Sequence, residues 1–579
     1  MEFSLVFCRI GCALLFLSST VCAVRNVSKN VSKPNIVFFL ADDLGWNDVS
    51  FHGSEQIPTP HIDAIGQRGA YLNNYYVQPV CSPTRATLLT GRSVIRTAVY
   101  DPDLEGNVAD LSLNFTLMPQ YLKSLGYDTH MVGKWHLGMS SHKFTPWSRG
   151  FDTYSAGYLG GAEDYWRHAN GVKLDFWNNT HPSYSHVCEQ KDECPAEKYS
   201  AHIFTEKAIQ VLQKYSKHKS GTGESPPFFL YLPYQSVHAP LEAPQAYIDS
   251  FKDTIANEKR RIFAGSVKAL DEGVGNVTAA LETFGLMEET IVIFSTDNGG
   301  PADFFNTNMA CNWPLRGMKR TLFEGGVRAV GAIMGNGINR KGDVLDGMIH
   351  VADFVPSLLA RVSGQKNLKQ TFGLDFLPGD GMDVWDYLSG EANTSPRTYI
   401  LHEAHPEGST DGNGNALRVG DYKLVLRSGS SWSTGSKIVS NDGWYGGPQS
   451  SDPSNEGAYS LPVGKSAQPW TVKCPPPPAD FKRGFACEKG GLGKQTIEHA
   501  CLFNVKKDPC EMHDLSSDPA YHDTLRTIWE KLKPFRAEAL DSRVNKSPDG
   551  PNCPIFVPCN GDNTECHGLT GAQVPCDMP

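Results

Sequence analysis

Three short runs of the chain are almost wholly apolar: NIVFFLADD at residues 35–43, FFLYLPY at 228–234 and TIVIFSTDNGG at 290–300. A strand that is apolar at successive positions must bury both of its faces, the condition of strands in a sheet covered on each side by helices. Between these runs lie helical stretches, SAHIFTEKAIQVLQKYSK and FAGSVKALDEGVGNVTAALETFG. Strands alternating with helices predict an α/β fold.

A single hydrophobic core stops growing at roughly 250–300 residues, so a chain of 579 residues needs a second, smaller unit. Past about residue 400 the texture changes: ALRVGDYKLVLRSG reads as a hairpin, residues 428–478 are rich in Gly, Ser and Pro, and HDTLRTIWEKLKPFRAEAL reads as a final helix. The expected organisation is a signal peptide at 1–23, a large α/β domain at 34–400, a smaller C-terminal α+β domain at 401–544 and a Cys-rich tail at 545–579.

A formal charge of −10 with no basic stripe argues against a nucleic-acid binder. The cluster EKRR at 258–261 reads as a solvated helix face. The first 23 residues carry a basic residue and a short apolar run ending in small residues, the pattern of a cleaved secretory leader rather than a membrane span. Seven N-x-[ST] sequons follow, at Asn26, Asn30, Asn114, Asn178, Asn276, Asn393 and Asn545, as expected of a glycoprotein of the secretory route, lysosomal or extracellular.

Of 15 cysteines, Cys8, Cys12 and Cys22 lie in the leader. Cys188 with Cys194, Cys474 with Cys487, and Cys501 with Cys510 are close enough in sequence for local bridges, and Cys553, Cys559, Cys566 and Cys576 would staple the tail. Cys81 and Cys311 remain, and a bridge between those two is one reading.

Two of the apolar strands end in polar pairs: Asp42 and Asp43 after FFLA, Asp297 and Asn298 after IFST. Adjacent carboxylates at a buried strand end repel unless a cation lies between them, and strand ends are where α/β sheets bind ligands. One such pair alone would read as a helix cap. Two pairs of oxygen donors suit a hard divalent ion, Ca²⁺ or Mg²⁺. Lys134 and His136 in VGKWHLG would share one face of an extended strand, His238 follows a buried strand, and Lys319 precedes glycines that allow close backbone approach. If they converge, these groups make an anion site beside a metal. Cys81 stands just before a helix, where backbone N–H groups favour negative charge, with Arg85 one turn on.

The motifs CSPTRATLLTGR, ADDLGWNDVSFHG, GKWHLG, STDNGG and LRGMKRTLFEGGVR, in family order, make residues 34–540 resemble the sulfatase family. RGFDTY, EDYW, YLPYQSVHAPLEAP and DEGVGNVTAAL are most similar to its arylsulfatase B (N-acetylgalactosamine 4-sulfatase) branch. The resemblance implies an alkaline-phosphatase-like large mixed sheet between helices, and a smaller C-terminal domain with an antiparallel sheet. It also implies one bound Ca²⁺, with Mg²⁺ the poorer fit, and oxidation of Cys81 to formylglycine by a formylglycine-generating enzyme during secretion.

By the same resemblance Asp42, Asp43, Asp297 and Asn298 hold the ion with the modified Cys81. Arg85 and Lys134 orient the aldehyde hydrate and His136 is the base that expels sulfate. His238 and Lys319 bind sulfate and help protonate the leaving oxygen. Lys134, His238 and Lys319 together make the substrate-binding set. The implied substrate is a terminal sulfated sugar or a sulfated small molecule such as an aryl sulfate. The rival readings are a phosphate or phosphonate ester hydrolase of the same superfamily and a catalytically inactive glycan-binding relative.

Overall fold

The computed structural model describes residues 33–540 except 102, 105–106, 109, 162, 171–172, 184–197, 217–224, 303–307, 407–413, 429–431, 435–436, 440–471, 473 and 476–495; beyond 540 it describes 555–557 and 571–574. The leader, Asn26, Asn30, Asn545, Cys188, Cys194, Cys487 and the tail cysteines lie outside the described residues.

The three apolar runs form the adjacent strands Phe228–Pro233, Asn35–Ala41 and Thr290–Thr296, all parallel, at the middle of a ten-stranded sheet. Asp128–Val132 and Thr153–Gly157 extend the parallel part on one side. On the other side Gly331–Gly335 runs antiparallel, which makes the sheet mixed.

Both faces are covered, as the strand composition requires. Val37, Phe39 and Ala41 join a cluster with Phe263, Val267 and Leu270 of the helix Glu258–Thr283. Ile36, Phe38 and Leu40 point the other way, into a cluster with Leu88 and Leu89 of the helix Cys81–Thr90 and with Phe354, Val355 and Leu358 of Phe354–Ser363. Full burial of each large apolar side chain is worth about 1.5–3 kcal/mol, which explains why the middles of these strands are apolar and their polar residues, Asn35, Thr290, Ser295 and Thr296, sit at the ends.

The C-terminal part supplies a four-stranded antiparallel sheet, Tyr399–Glu403, Gly414–Val419, Tyr422–Ser428 and Cys501–Asn504 in that order. The predicted hairpin is its middle pair. One face of this sheet, with Leu401, Leu417, Leu424 and Leu502, packs under Leu525, Ile528 and Leu532 of the final helix His522–Glu538. The other face, with Ile400, Ala416, Val425 and Phe503, packs on Tyr76, Leu322, Phe323 and Val327. Among the described residues no helix is long and apolar enough to cross a membrane.

The expected cysteine pairs are overturned, and the solvated EKRR face holds only in part. Cys474 is bonded to Cys510, with Cα atoms 5.6 Å apart, so Cys474–Cys487 and Cys501–Cys510 are not the pairs; Cys501 is in a disulfide of its own. The reason is that Cys501 opens a sheet strand, while the turn after Asn504 carries Cys510 away to pack with Trp313 and Met512. Of EKRR, Glu258 and Lys259 are exposed as expected, whereas Arg260 is buried: its guanidinium lies 2.6 Å from Asp48 Oδ1 and donates to the Met309 carbonyl. Cys81 and Cys311 are both buried free thiols. The sequon residues Asn114, Asn276 and Asn393 are exposed, whereas Asn178 is half-buried and accepts the Ala156 N–H through Oδ1.

Candidate active site

Strands Asn35–Ala41 and Thr290–Thr296 run side by side with Ala41 opposite Thr296, so the residues that follow emerge together at the carboxyl edge of the sheet. Asp43 turns out of the strand with φ 63°, and its N–H donates to Asp297 Oδ1. Asn298 Nδ2 donates to Asp43 Oδ1 at 2.7 Å. The loop carrying His238 is laced to the same strand end: Asp42 N–H donates to the Ser236 carbonyl, and Val237 N–H to the Asp42 carbonyl. Asp42, Asp43, Asp297 and Asn298 are completely buried.

Such burial holds only with counter-charges. Arg85, on the first turns of Cys81–Thr90, bridges Asp42 Oδ2 at 3.2 Å and Asp297 Oδ2 at 2.8 Å, and its other Nη donates to the Lys134 carbonyl. Lys134 Nζ donates to Asp42 Oδ2. Lys319 Nζ lies 2.7 Å from Asp43 Oδ1. Burial works to raise the Asp42 pKa, but Lys134, His238, Arg85 and Lys319 hold it well below the usual carboxylate range. Asp297 is pushed the other way, by burial and then by the Asp42 charge beside it.

Lys134 and His136 are not on a strand, contrary to expectation. The strand ends at Val132, and the chain turns through Gly133 (φ 116°) and His136 (φ 56°). Gly133 is required because a Cβ there would lie 2.1 Å from the Pro233 carbonyl oxygen. The turn sends Lys134 to Asp42 and brings His136 Nδ1 to 3.3 Å from Cys81 Sγ.

Burial pushes the Cys81 thiol up, with Asp42 and Asp297 adding to it against Lys134 and Lys319, so the cysteine is no activated thiolate. Burial first, then Lys134 and Arg85, lower His136 well below the ordinary histidine range, which keeps the imidazole neutral. His238 is lowered to about 4, by burial and by Lys319 against Asp43. Its Nδ1–H donates to the Ala239 carbonyl and its Nε2 lies 3.4 Å from Asp43 Oδ2.

Ligand atoms of Asp42, Asp43 and His238, and of Asp42, Cys81 and Asp297, form two groups whose members lie within 4.8 Å of one another. Asp42 Oδ1 and Asn298 Oδ1 are buried without a hydrogen-bond partner among the described residues. These two oxygens, with the carboxylates of Asp43 and Asp297 beside them, form a donor set that fits a hard cation.

Several supporting residues carry no legible signal in the sequence. Ser82 Oγ donates to the His136 carbonyl and Thr84 Oγ1 to the Asp297 carbonyl; both sit inside the CSPTR motif, where position alone assigns them no role. Asp175 accepts the N–H groups of Leu159 and Gly160 and the Trp177 Nε1–H, holding the loop whose Gly161 backs the His136 ring.

A sequence profile of the sulfatase family matches residues 34–364. Arylsulfatase J of Mus musculus is 34% identical over 520 residues, 88% of this chain and 77% of that protein. N-acetylgalactosamine-6-sulfatase of Mus musculus is 29% identical over 358 residues, 60% of this chain and 66% of that protein. The crystal structure of Ps i-CgsB superposes with a TM-score of 0.64 at 24% identity, covering 89% of this chain and 98% of that one, a likeness of fold. With the matching profile spanning more than half of its length, the chain belongs to the sulfatase family and is a sulfuric ester hydrolase.

Proposed function

We propose that this sulfatase works through formylglycine made from Cys81 and one Ca²⁺, on a sulfated sugar end or a small aryl sulfate. The observation that carries the reading is the position of Cys81: its Sγ joins Asp42 and Asp297 in one ligand-sized group and faces a neutral His136, yet burial disfavours its thiolate. As a thiol the residue is a poor nucleophile; as an aldehyde precursor it is well placed. Oxidised and hydrated, residue 81 supplies one carbon with two hydroxyls, one to displace the alcohol at sulfur and one whose deprotonation releases sulfate. A calcium ion held by Asp42, Asp43, Asp297 and Asn298 would draw charge from a sulfate oxygen and acidify the attacking hydroxyl.

The remaining work falls to the chain's own side chains. His136 is placed to remove the proton from a hydroxyl on residue 81. Arg85 and Lys134 fix the Asp42 and Asp297 carboxylates and offset their charge. Lys319 is a permanently charged donor for sulfate and for the departing ester oxygen. His238 lines the same anion site and passes on a proton once it carries one.

The net charge of −10 does not favour a long basic groove for a polyanion, and supports a pocket for a chain end or small molecule. The names of the two relatives, an arylsulfatase and an N-acetylgalactosamine sulfatase, point to the same substrate classes. The leader pattern, the sequons and the disulfides support passage through the secretory route to a lysosomal or extracellular destination. Mass spectrometry of the peptide bearing Cys81 tests the central step: the aldehyde or its hydrate is expected, and an unmodified thiol in active enzyme would sink it. Sulfate release from a panel of sulfated sugars and aryl esters then ranks the substrates.

A further inference from the structure

A second set of buried charges sits where the C-terminal sheet meets the segment that carries Lys319. Lys423, on the strand Tyr422–Ser428, has a fully buried side chain, with Nζ 3.0 Å from Glu324 Oε1 and 3.0 Å from Glu511 Oε1. Glu324 opens the short helix Glu324–Val327, five residues after Lys319. Glu511 Oε2 accepts the backbone N–H of Glu324 at 2.7 Å. The second oxygen of Glu324 accepts from Tyr76 OH at 2.8 Å. Glu511 is next in the chain to the Cys474–Cys510 disulfide, so this anchor is covalently braced. Two carboxylates and an ammonium are costly to bury unless each is paired, and removing one partner leaves an uncompensated charge in the interior.

The helix they pin is hydrogen-bonded to two loop segments that lead to the active site. The Gly326 carbonyl accepts the N–H of Gly299, the residue after Asn298, at 2.9 Å. The Val327 carbonyl accepts the N–H of Val77, four residues before Cys81, also at 2.9 Å. There is no slack in the first contact: a Cβ on Gly299 would lie 1.8 Å from the Gly325 carbonyl oxygen. The helix is thus tied by backbone hydrogen bonds to both the Asn298 and the Cys81 segments.

We propose that Lys423, clamped between Glu324 and Glu511, is a positioning residue that sets Asn298 and Cys81 in register through the Glu324–Val327 helix. This rests on the reading that Asn298 belongs to a calcium site and Cys81 to the nucleophile. The C-terminal sheet is then part of how the active site is built.

The test uses the full-length protein with calcium binding measured by calorimetry, kcat and KM measured on an aryl sulfate, and folding followed by far-ultraviolet circular dichroism. Lys423→Met keeps the length of the side chain and removes its charge. The expected result, with secondary structure intact, is calcium affinity about tenfold weaker and kcat about tenfold lower at an unchanged KM, as for other residues that support metal ligands from behind. Glu511→Gln, which retains an acceptor for the Glu324 N–H, is expected to move both in the same direction by about threefold. Should Lys423→Met fail to fold, Glu511→Gln decides alone. Calcium affinity and kcat within about twofold of the parent in the folded variants, whatever their melting temperatures, overturn the inference and leave the calcium site standing. Absence of calcium binding by the parent protein overturns the calcium site and the inference with it.

Discussion

His136 Nδ1 lies 3.3 Å from Cys81 Sγ, and the opposite edge of the same ring abuts the backbone of Gly161. The imidazole is thus held from two sides, with burial and the neighbouring cations keeping it neutral. A base in this position acts on a proton carried by residue 81. His136→Ala is expected to lower kcat by about 10²–10⁴-fold and to leave sulfate covalently attached to the protein. Intact-mass measurement after brief exposure to substrate checks this; a slow variant that never carries the added sulfate would remove His136 from that role.

Gly161 tests the same relationship from the other side. A Cβ there would lie 2.5 Å from His136 Nε2. Gly161→Ala is expected to reduce kcat by about tenfold or more through displacement of the ring, with KM little changed. Steady-state kinetics on an aryl sulfate give both constants, and a fall in affinity without a fall in kcat would contradict the expectation.

Replacing Cys81 separates single from repeated turnover. Serine has one hydroxyl, so Cys81→Ser is expected to release one equivalent of alcohol at most, in a burst, and then stop. Stopped-flow or quench measurement of alcohol released per enzyme is the check, and sustained turnover would show that no aldehyde is needed.

The unpartnered Oδ1 atoms of Asp42 and Asn298 predict a dependence on divalent ions. Exhaustive chelation is expected to abolish sulfate release, and added Ca²⁺ to restore it better than Mg²⁺. Asn298→Ala, which also loses the 2.7 Å bond to Asp43, is expected to weaken calcium binding about 10–100-fold by calorimetry. Undiminished activity in the chelated protein would count against any metal role.

His130 gives a pH signature remote from the catalytic cluster. Burial, aided by Lys214, lowers its pKa to about 4 against Asp128 and Asp152, and its ring nitrogens meet Thr153 Oγ1 at 2.7 Å and Tyr215 OH at 2.6 Å. The unfolded chain therefore takes up the proton first as pH falls. The stabilisation is fully present above about pH 6.5 and is lost on the way down to about pH 4, amounting to about 3 kcal/mol. Urea unfolding of His130→Gln is expected to show a smaller loss of stability across that window than the parent; an equal loss would assign the effect elsewhere.

The central strands are legible in the amino-acid order itself, because a strand buried on both faces must be written in apolar residues. Asp42, Asp43, Asp297 and Asn298 are legible for the complementary reason: polar groups at the ends of such strands are conspicuous, and parallel pairing of Asn35–Ala41 with Thr290–Thr296 brings them together. What local sequence does not determine is how the chain leaves the sheet. Lys134 and His136 meet Asp42 and Cys81 through a turn with two positive φ angles, not through the spacing of a strand. The Cys474–Cys510 bridge, the inward Arg260–Asp48 pair and the Glu324–Lys423–Glu511 clamp join residues 36 to 212 positions apart in sequence. Their partners are selected by which surfaces pack against one another and by the cost of burying an unpaired charge, and both are properties of the assembled fold rather than of any segment within it.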